Sequence, residues 1–595
     1  MQRFKLLVVA VGLASACTGP AGDDRTELTN SSGKDDSVAI KVKLTDSNRV
    51  VSFIVGCDQP LGCEGQVGVE LKTPEPCALF PDEARCGVAR TQPLAREVLS
   101  TEILSTTEGG RTLPLLIESG DGTQWTRKVA AGFTANGNED VEVTLTKAMG
   151  TPDLLIEVRA EWKAKADPNA EITALTNFLG TVPGLTYVEV GTASAGYRAF
   201  LLQYEQPLDH ANPAAGTFKQ QIVLHHRSKT APLVLYTSGY ALFAQDDMSE
   251  LGGAMQANQL NTEQRWFGSS KPADVTPESW TLVNIEQAAK DHHRIVQALK
   301  PFYSGKWLST GHSKGGMTSL FHRRFFPADI DATVAYVAPI SFADPDPRYI
   351  PHLDQIGEEA CRTAIRGVQK KALEMIDQLV PLAQAAHEPT STFERSGGLA
   401  SAMEKDITAL EWGFWQYYTA TDCAPFLMPP TDANGMFNLL ATYCGVGAPD
   451  TAFEDYQFLG YQWQAATQLG HQSFSNAHLT GLLKHETVRV NQAPRGTMPI
   501  HDRSAMDDVQ SWVKTQGSQI LFVYGGSDPW TGGAYELGMQ PETVKLVAPK
   551  MSHMAMIKDL TTGDKEIALG KIEQWMGTRP TITPSTRHAP MPSMR

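Results

Sequence analysis

The most informative part of this chain is the stretch Ser309-Thr310-Gly311-His312-Ser313-Lys314-Gly315-Gly316-Met317-Thr318-Ser319. It holds the pattern G-x-S-x-G between apolar Trp307-Leu308 and a helix-like run from Met317 to Phe326. This order predicts a strand, a sharp turn and a helix. The glycines on either side of Ser313 remove Cβ atoms that would clash, so the hydroxyl projects clear of the sheet, as a nucleophile requires. An ordinary glycine-rich turn would also fit the five letters alone.

A nucleophilic serine needs a base and an acid that orients the base, and here both are expected later in the chain. Gln519–Tyr524 is apolar and aromatic, which predicts a buried strand of a parallel sheet, and Asp528 follows it. A second predicted strand, Val544–Val547, precedes the loop that carries His553. Loops after parallel strands emerge at one edge of the sheet, so both side chains should meet Ser313 there. An Asp before Pro also commonly just initiates a turn.

Two backbone N–H groups are candidates for stabilising the oxyanion that such a serine would create. One belongs to Lys314, directly after the nucleophile, and the other to Gly239 or Tyr240, at the end of a predicted strand. Gly239 fits a plain turn glycine equally well. We expect the Lys314 side chain at the surface or in an ion pair, and His312 as a packing residue.

Composition disfavours several other classes of function. The formal net charge is −15, from 51 Lys and Arg against 66 Asp and Glu, which opposes nucleic-acid binding. The pairs His225-His226 and His292-His293 could suggest metal ligands, but neighbouring residues of a strand or helix face different ways, and no H-E-x-x-H or C-x-x-C occurs. We therefore expect no metal and no cofactor. No internal run reaches the roughly 18 apolar residues of a membrane helix.

The amino end of the chain predicts an export signal over residues 1–17. Arg3 and Lys5 precede the apolar run Leu6–Leu13, and small residues lead to Cys17. This arrangement resembles a bacterial lipoprotein cleavage box, so we expect lipidation and membrane attachment at Cys17, with simple secretion as the alternative. Both routes lead to the bacterial cell envelope or beyond it.

A separate β-domain is predicted before the α/β part. Residues 18–36 are rich in Gly, Ser, Thr and Asp, as in a flexible linker, and residues 37–165 alternate between apolar and polar, as in Val38–Leu44 and Val141–Leu145. We infer a β-sandwich. In an exported protein, four cysteines within it are expected to form two disulfides, whose pairing stays open: Cys57, Cys63, Cys77 and Cys86.

The remaining residues predict an α/β core that is interrupted by a helical cap. The core occupies residues 170–345 and 499–577, and the cap 346–498, where helical patterns such as Ile356–Val380 and Leu399–Thr419 replace the strands. Three further cysteines lie in the cap, and the tail 578–595 is predicted to be disordered.

Several segments carry, in the right order, a resemblance to a known family. They are Tyr204–His210, Gly216–Phe218, Thr262–Pro272, Thr281–Val296, Trp307–Thr318, Phe321–Pro327 and Thr333–Pro339. They resemble the S37 peptidases, secreted prolyl and tripeptidyl aminopeptidases related to the S28 prolylcarboxypeptidases. The resemblance covers about residues 170 to 580. It implies an α/β-hydrolase with an inserted helical cap, short peptide substrates, and a catalytic triad at Ser313, Asp528 and His553.

Cleavage from a free amino end requires a carboxylate that holds the ammonium group of the substrate. Glu411 is the first candidate, because it is embedded among the aromatic residues of Ala409–Tyr418, and Glu263 is the second. The same pattern fits an amphipathic helix with Glu411 on its wet face.

The sequence thus predicts an exported serine aminopeptidase that releases dipeptides, tripeptides or single prolines from short peptides. One alternative is an esterase or lipase of the same fold. Another is a surface binding protein in which the β-sandwich binds and the hydrolase is vestigial. No sequence pattern sets the length of the released peptide, the preferred residue or the oligomeric state.

Overall fold

Two compact units make up the chain, with the boundary between Ala170 and Glu171. The computed structural model describes residues 169–582, apart from 192–193, 243–247 and 486–491, and before residue 169 it describes only the backbone of the strands. Several sequence predictions therefore lie outside the described residues: the signal peptide, Cys17, the linker, the side chains of the first four cysteines that follow it, and positions 583–595 of the tail.

The first unit contains two antiparallel sheets of four strands each. Its strands are β1 (Ser37–Leu44), β2 (Val50–Cys57), β3 (Cys63–Glu70), β4 (Val98–Ser105), β5 (Arg111–Leu116), β6 (Gln124–Thr134), β7 (Gly137–Lys147) and β8 (Leu154–Glu161). One sheet has the order β1-β8-β7-β6 and the other β2-β3-β4-β5. The predicted segments Val38–Leu44 and Val141–Leu145 fall within β1 and β7. The side chains that would form the core of a sandwich lie outside the described residues.

The second unit is built on a mixed sheet of nine strands. They are β9 (Leu185–Val190), β10 (Arg198–Pro207), β11 (Thr217–His226), β12 (Leu233–Thr237), β13 (Asn258–Thr262), β14 (Trp307–His312), β15 (Ala332–Tyr336), β16 (Ile520–Gly525) and β17 (Thr543–Ala548). Across the sheet the order is β17-β16-β15-β14-β12-β13-β11-β10-β9. The pairs among β9, β10, β11 and β13 are antiparallel, and all pairs from β13 through β12 to β17 are parallel.

Every residue of β14, β15 and β16 is buried, which explains their short apolar sequences. Val234, Leu308 and Val523 pack on one face of the sheet, while Leu235 and Phe522 pack on the other. Both faces need a cover of helices, and the chain supplies it with α1 (Ala170–Thr181), α2 (Glu250–Ala254), α3 (Ile285–Leu299), α4 (Lys314–Phe325), α12 (Ser504–Thr515) and α13 (Thr562–Met576).

Between β15 and β16 the chain forms a separate group of helices with its own apolar core. They are α5 (Tyr349–Leu353), α6 (Glu359–Glu374), α7 (Ile376–Ala386), α8 (Leu399–Tyr417), α9 (Ala424–Leu427) and α10 (Ala433–Tyr443). We call this group the cap. The next helix, α11 (Leu459–Gln464), packs instead against Phe218, Trp266 and Trp280 of the α/β part. The helical pattern predicted over Ile356–Val380 is two helices, because Met375 leaves the helical backbone conformation between α6 and α7.

A disulfide joins Cys361 of α6 to Cys423, directly before α9, with 5.8 Å between the two Cα atoms. Cys444 is the free cysteine among the described residues. Within the same residues, no helix has the length and apolar character that crossing a membrane would require.

Candidate active site

Ser313 stands at a strained turn between β14 and α4. Its backbone has φ 57° and ψ −124°, a conformation that side-chain-bearing residues rarely adopt. A Cβ atom on Gly311 would lie 2.3 Å from the carbonyl carbon of Gly315, and one on Gly315 would lie 2.3 Å from the carbonyl oxygen of Thr237. The turn is thus possible only with glycine at both positions, and it leaves the Ser313 side chain half-buried.

The structure brings Ser313, His553 and Asp528 together at the carboxyl ends of β14, β17 and β16. His553 Nε2 lies 2.7 Å from Ser313 Oγ, and His553 Nδ1 lies 2.7 Å from Asp528 Oδ2. Asp528 is fully buried, and its other carboxylate oxygen accepts a hydrogen bond from the N–H of Trp530. This arrangement fits a histidine that donates from Nδ1 and accepts the serine proton at Nε2.

Two backbone contacts hold His553 in place. Its N–H donates to the carbonyl oxygen of Gln416, at the end of cap helix α8, over 3.0 Å. Its own carbonyl oxygen accepts a hydrogen bond from Nε2 of His312. Burial lowers the pKa of His312 to about 3, so this ring is neutral and donates through one nitrogen only. His312 packs on Tyr336, as expected, but its bond to His553 has no signature in the sequence.

The two predicted oxyanion donors lie side by side. Lys314 is the first residue of α4, so its N–H has no acceptor within the helix. Gly239 has φ +75°, and a Cβ atom there would lie 2.6 Å from the nitrogen of Gly315, so its backbone abuts the start of α4. Among the described residues, none accepts a hydrogen bond from the N–H of Gly239. The N–H of Tyr240 lies 3.2 Å from Ser238 Oγ, to which it donates.

The side chain of Lys314 is buried, contrary to the surface position expected from the sequence. Its ammonium group donates to the carbonyl oxygen of Gly239 and lies over the rings of Tyr240 and Phe267, at 5.4 and 4.8 Å. Among the described residues, no carboxylate lies within ion-pair distance of it. Burial lowers the pKa of Lys314 to about 7. The expectation failed because these aromatic rings come from loops distant in the sequence.

Both predicted amine-binding carboxylates are buried. Glu411 is buried in the cap and forms a 2.8 Å ion pair with Arg366, instead of lying on a wet face. Burial raises the pKa of Glu411, and the bond from Arg366 opposes that shift. Glu263 is also buried, and its two oxygens accept hydrogen bonds from Leu242, Ser269 and Ser270. Glu263 is thus fully engaged in internal contacts, whereas Oε1 of Glu411 is buried without a hydrogen-bond partner among the described residues.

Aromatic side chains that the sequence reading did not single out surround the reacting groups. Tyr240 packs against Tyr461 of α11, with 5.9 Å between the ring centres. Tyr417, at the end of α8, has its pKa raised to about 12 by burial and then by the charge of Asp528. The ring centre of Trp530 lies 6.1 Å from that of His553 and 5.1 Å from that of Trp412 in the cap. Core and cap together thus place aromatic side chains close to Lys314 and His553.

The sequence profile of the PS-10 peptidase S37 family matches residues 166–593. The chain belongs to the S37 peptidase family. A prolyl tri/tetrapeptidyl aminopeptidase from Streptomyces mobaraensis is 36% identical over 419 residues, which cover 69% of this chain and 87% of that relative. This S37 protein is accordingly a serine peptidase.

Solved structures with similar folds are much more distant in sequence. A proline iminopeptidase from Mycobacterium smegmatis is 12% identical, covers 63% of this chain and 97% of its own, and has a TM-score of 0.28. An α/β fold family hydrolase from Bacillus anthracis str. Sterne is 14% identical, covers 60% and 95%, and has a TM-score of 0.26. The strand order and the turn at Ser313 by themselves identify the second unit of the S37 peptidase as an α/β-hydrolase.

Proposed function

We propose that this peptidase is an exported exopeptidase that releases short peptides or single prolines from the free amino ends of peptides. The observation that carries the proposal is the pair of 2.7 Å contacts from His553 to Ser313 and Asp528. The printed activity of the Streptomyces mobaraensis relative, a prolyl tri/tetrapeptidyl aminopeptidase, supports the substrate class.

In the proposed reaction, Ser313 Oγ attacks the scissile carbonyl carbon while His553 Nε2 takes the serine proton. The C–N bond then breaks, and His553 returns that proton to the leaving amine. Water attacks the resulting ester by the same route in reverse, which frees the peptide and restores the serine. Asp528 keeps His553 in the tautomer that can accept at Nε2 and stabilises the imidazolium.

The negative oxygen of the tetrahedral intermediate requires donors that are already in place. We assign the N–H groups of Lys314 and Gly239 to this role. The close approach of Gly239 to the start of α4 supports the pairing. Gly239 is favoured over Tyr240, because the N–H of Tyr240 already donates to Ser238.

Export to the cell envelope through the amino-terminal signal is also proposed, with Cys17 as the lipidated residue. The disulfide between Cys361 and Cys423 supports it, because such bonds persist mainly in oxidising compartments. We further propose that the eight strands of the first unit form a β-sandwich and that the cap limits substrates to short peptides.

The test compares hydrolysis of Ala-Ala-Pro-p-nitroanilide with free and acetylated amino ends, with Ser313→Ala as the inactive control. Cleavage of the free form alone, lost in the variant, is the expected result. Equal cleavage of both forms would indicate an endopeptidase. Turnover of p-nitrophenyl acetate without cleavage of either anilide would leave an esterase as the better description.

A further inference from the structure

Tyr336, the last residue of β15, is connected to both the proposed nucleophile and the proposed base. Its carbonyl oxygen accepts a hydrogen bond from the backbone N–H of Ser313 over 2.9 Å. Its ring stacks on that of His312, with 6.3 Å between the ring centres, and His312 in turn donates to the carbonyl oxygen of His553. Tyr336 is thus joined to Ser313 directly and to His553 through one neighbour.

The hydroxyl of Tyr336 contacts a carboxylate that the proposed reaction does not use. It donates to Oε2 of Glu250, the first residue of α2, over 2.8 Å. Burial, and then the charge of Glu250, hold the pKa of Tyr336 well above its usual range, so this hydroxyl keeps its proton and acts as a donor. The buried ring of Tyr336 therefore fixes the position of one carboxylate oxygen.

Glu250 also holds the loop that carries His553. Its Oε1 accepts a hydrogen bond from the N–H of Lys558 over 2.9 Å, and its Oε2 accepts one from the N–H of Ile557 over 3.1 Å. The side chain of Ile557 is fully buried, so this end of the loop is anchored from two directions. Contacts thus run without a break from Ser313 through Tyr336 and Glu250 to the loop of the base.

We infer that Glu250 is a positioning residue, which holds the loop of His553 at the distance from Ser313 that proton transfer requires. This inference rests on the proposed serine mechanism, because Glu250 acts through His553. A general base must lie within hydrogen-bond reach of the proton that it takes, and His553 Nε2 lies 2.7 Å from Ser313 Oγ. A displacement of the loop by about 1 Å would break this contact.

The variant Glu250→Gln removes this support with little change in side-chain volume. An amide nitrogen cannot accept a hydrogen bond, so in either orientation of the amide the N–H of Ile557 or of Lys558 loses its acceptor. Burial raises the pKa of Glu250, and the bonds from Tyr336, Lys558 and Ile557 oppose that shift. The native state therefore gains no net stability from this charge, and we expect the variant to stay folded.

The test measures hydrolysis of Ala-Ala-Pro-p-nitroanilide by the wild type and Glu250→Gln, together with the rate at which phenylmethanesulfonyl fluoride inactivates each protein. We expect Glu250→Gln to lower kcat about 10-fold and to leave KM within about twofold, because proton transfer is impaired and substrate binding is not. Inactivation needs the same proton transfer from Ser313 but no peptide site, so its rate should fall by a similar factor.

The matched control is Glu404→Gln in the cap. Glu404 is buried, and like Glu250 it accepts hydrogen bonds from two consecutive backbone N–H groups, those of Lys484 and His485, each over 2.8 Å. Because these groups are far along the chain from His553, the control variant should keep the kcat, the KM and the inactivation rate of the wild type.

An unchanged kcat in Glu250→Gln would overturn the inference, as would fewer reactive serines per protein at an unchanged rate per serine, which indicates partial unfolding only. If Glu250→Gln does not fold, Tyr336→Phe decides, because it keeps the ring and the carbonyl oxygen but removes the donor to Glu250. Its kcat should fall at least about threefold, and an unchanged kcat contradicts the inference. Failure of the proposed function is a different result, because Ser313→Ala or His553→Ala would then keep wild-type hydrolysis.

Discussion

The ammonium group of Lys314 donates a hydrogen bond to the carbonyl oxygen of Gly239. One residue thus joins both sides of the proposed oxyanion site, because its backbone N–H starts α4 while its side chain holds the opposite loop. The rings of Tyr240 and Phe267 cover the bond, which keeps it strong by excluding water.

Replacement of Lys314 by Met should therefore lower kcat about 10- to 100-fold with little change in KM, because Gly239 is no longer held in position. Steady-state kinetics on the tripeptide anilide would measure this. A neutral amine is a weaker donor than an ammonium group, so the wild type should lose part of this contribution as pH rises through about 7, where Lys314 loses its proton, and the variant should lack that limb of the pH profile.

The control for this variant is Lys371→Met, since Lys371 also donates to a carbonyl oxygen, that of Pro430 in the cap, over 2.8 Å. It should keep wild-type kinetics. A normal kcat in Lys314→Met would contradict the positioning role.

Lys314→Met should make the protein more stable, although it makes the enzyme less active. Burial lowers the pKa of this lysine from 10.5 to about 7, so between these values the unfolded chain binds one more proton than the native protein. The linkage relation then makes the free energy of unfolding rise with pH over this window. At pH 7 and below, the native state carries the full cost of the buried charge, so Lys314→Met should raise the melting temperature by a few degrees. This gain in melting temperature should shrink toward pH 10. Calorimetry that shows a constant difference over this range would disprove the coupling.

The variant Glu411→Gln tests whether Glu411 stabilises the cap or binds the substrate. Burial raises the pKa of Glu411, so the charged carboxylate costs the native state more than the bond from Arg366 returns, and Arg366 keeps Asp354 as a partner in the variant. We therefore expect the free energy of unfolding at pH 7 to stay unchanged or to rise slightly. The preference for a free over an acetylated amino end should not change. Urea denaturation and the two anilide substrates measure these quantities, and a lost preference would return Glu411 to the substrate site.

Removal of the disulfide by Cys361→Ala with Cys423→Ala should loosen the cap. The bond closes a segment of 62 residues, for which chain entropy predicts about 4 kcal/mol of stabilisation. We expect a clear drop in the melting temperature of the double variant, and the same drop when wild type is heated with reductant. Cys444→Ala serves as the control, because that thiol is free.

The sequence was most informative where chemistry restricts the choice of residue. The turn at Ser313 requires glycines at fixed spacing, and an acid and a base must follow later strands of the same sheet, so Asp528 and His553 could be proposed from the sequence, and the structure brings them next to Ser313. The surroundings of side chains that lie between distant loops have no comparable pattern in the sequence. The burial of Lys314, the ion pair of Glu411 and the contact of Tyr240 with Tyr461 all depend on segments far apart in the chain.

The hydrogen bond from the N–H of His553 to the carbonyl oxygen of Gln416 joins the last turn of α8 to the proposed catalytic base. Any opening of the cap that lifts this turn also releases the loop that carries the base. If His553 is the base, as proposed, the activity of this peptidase depends on the position of the cap as well as on the residues of the core.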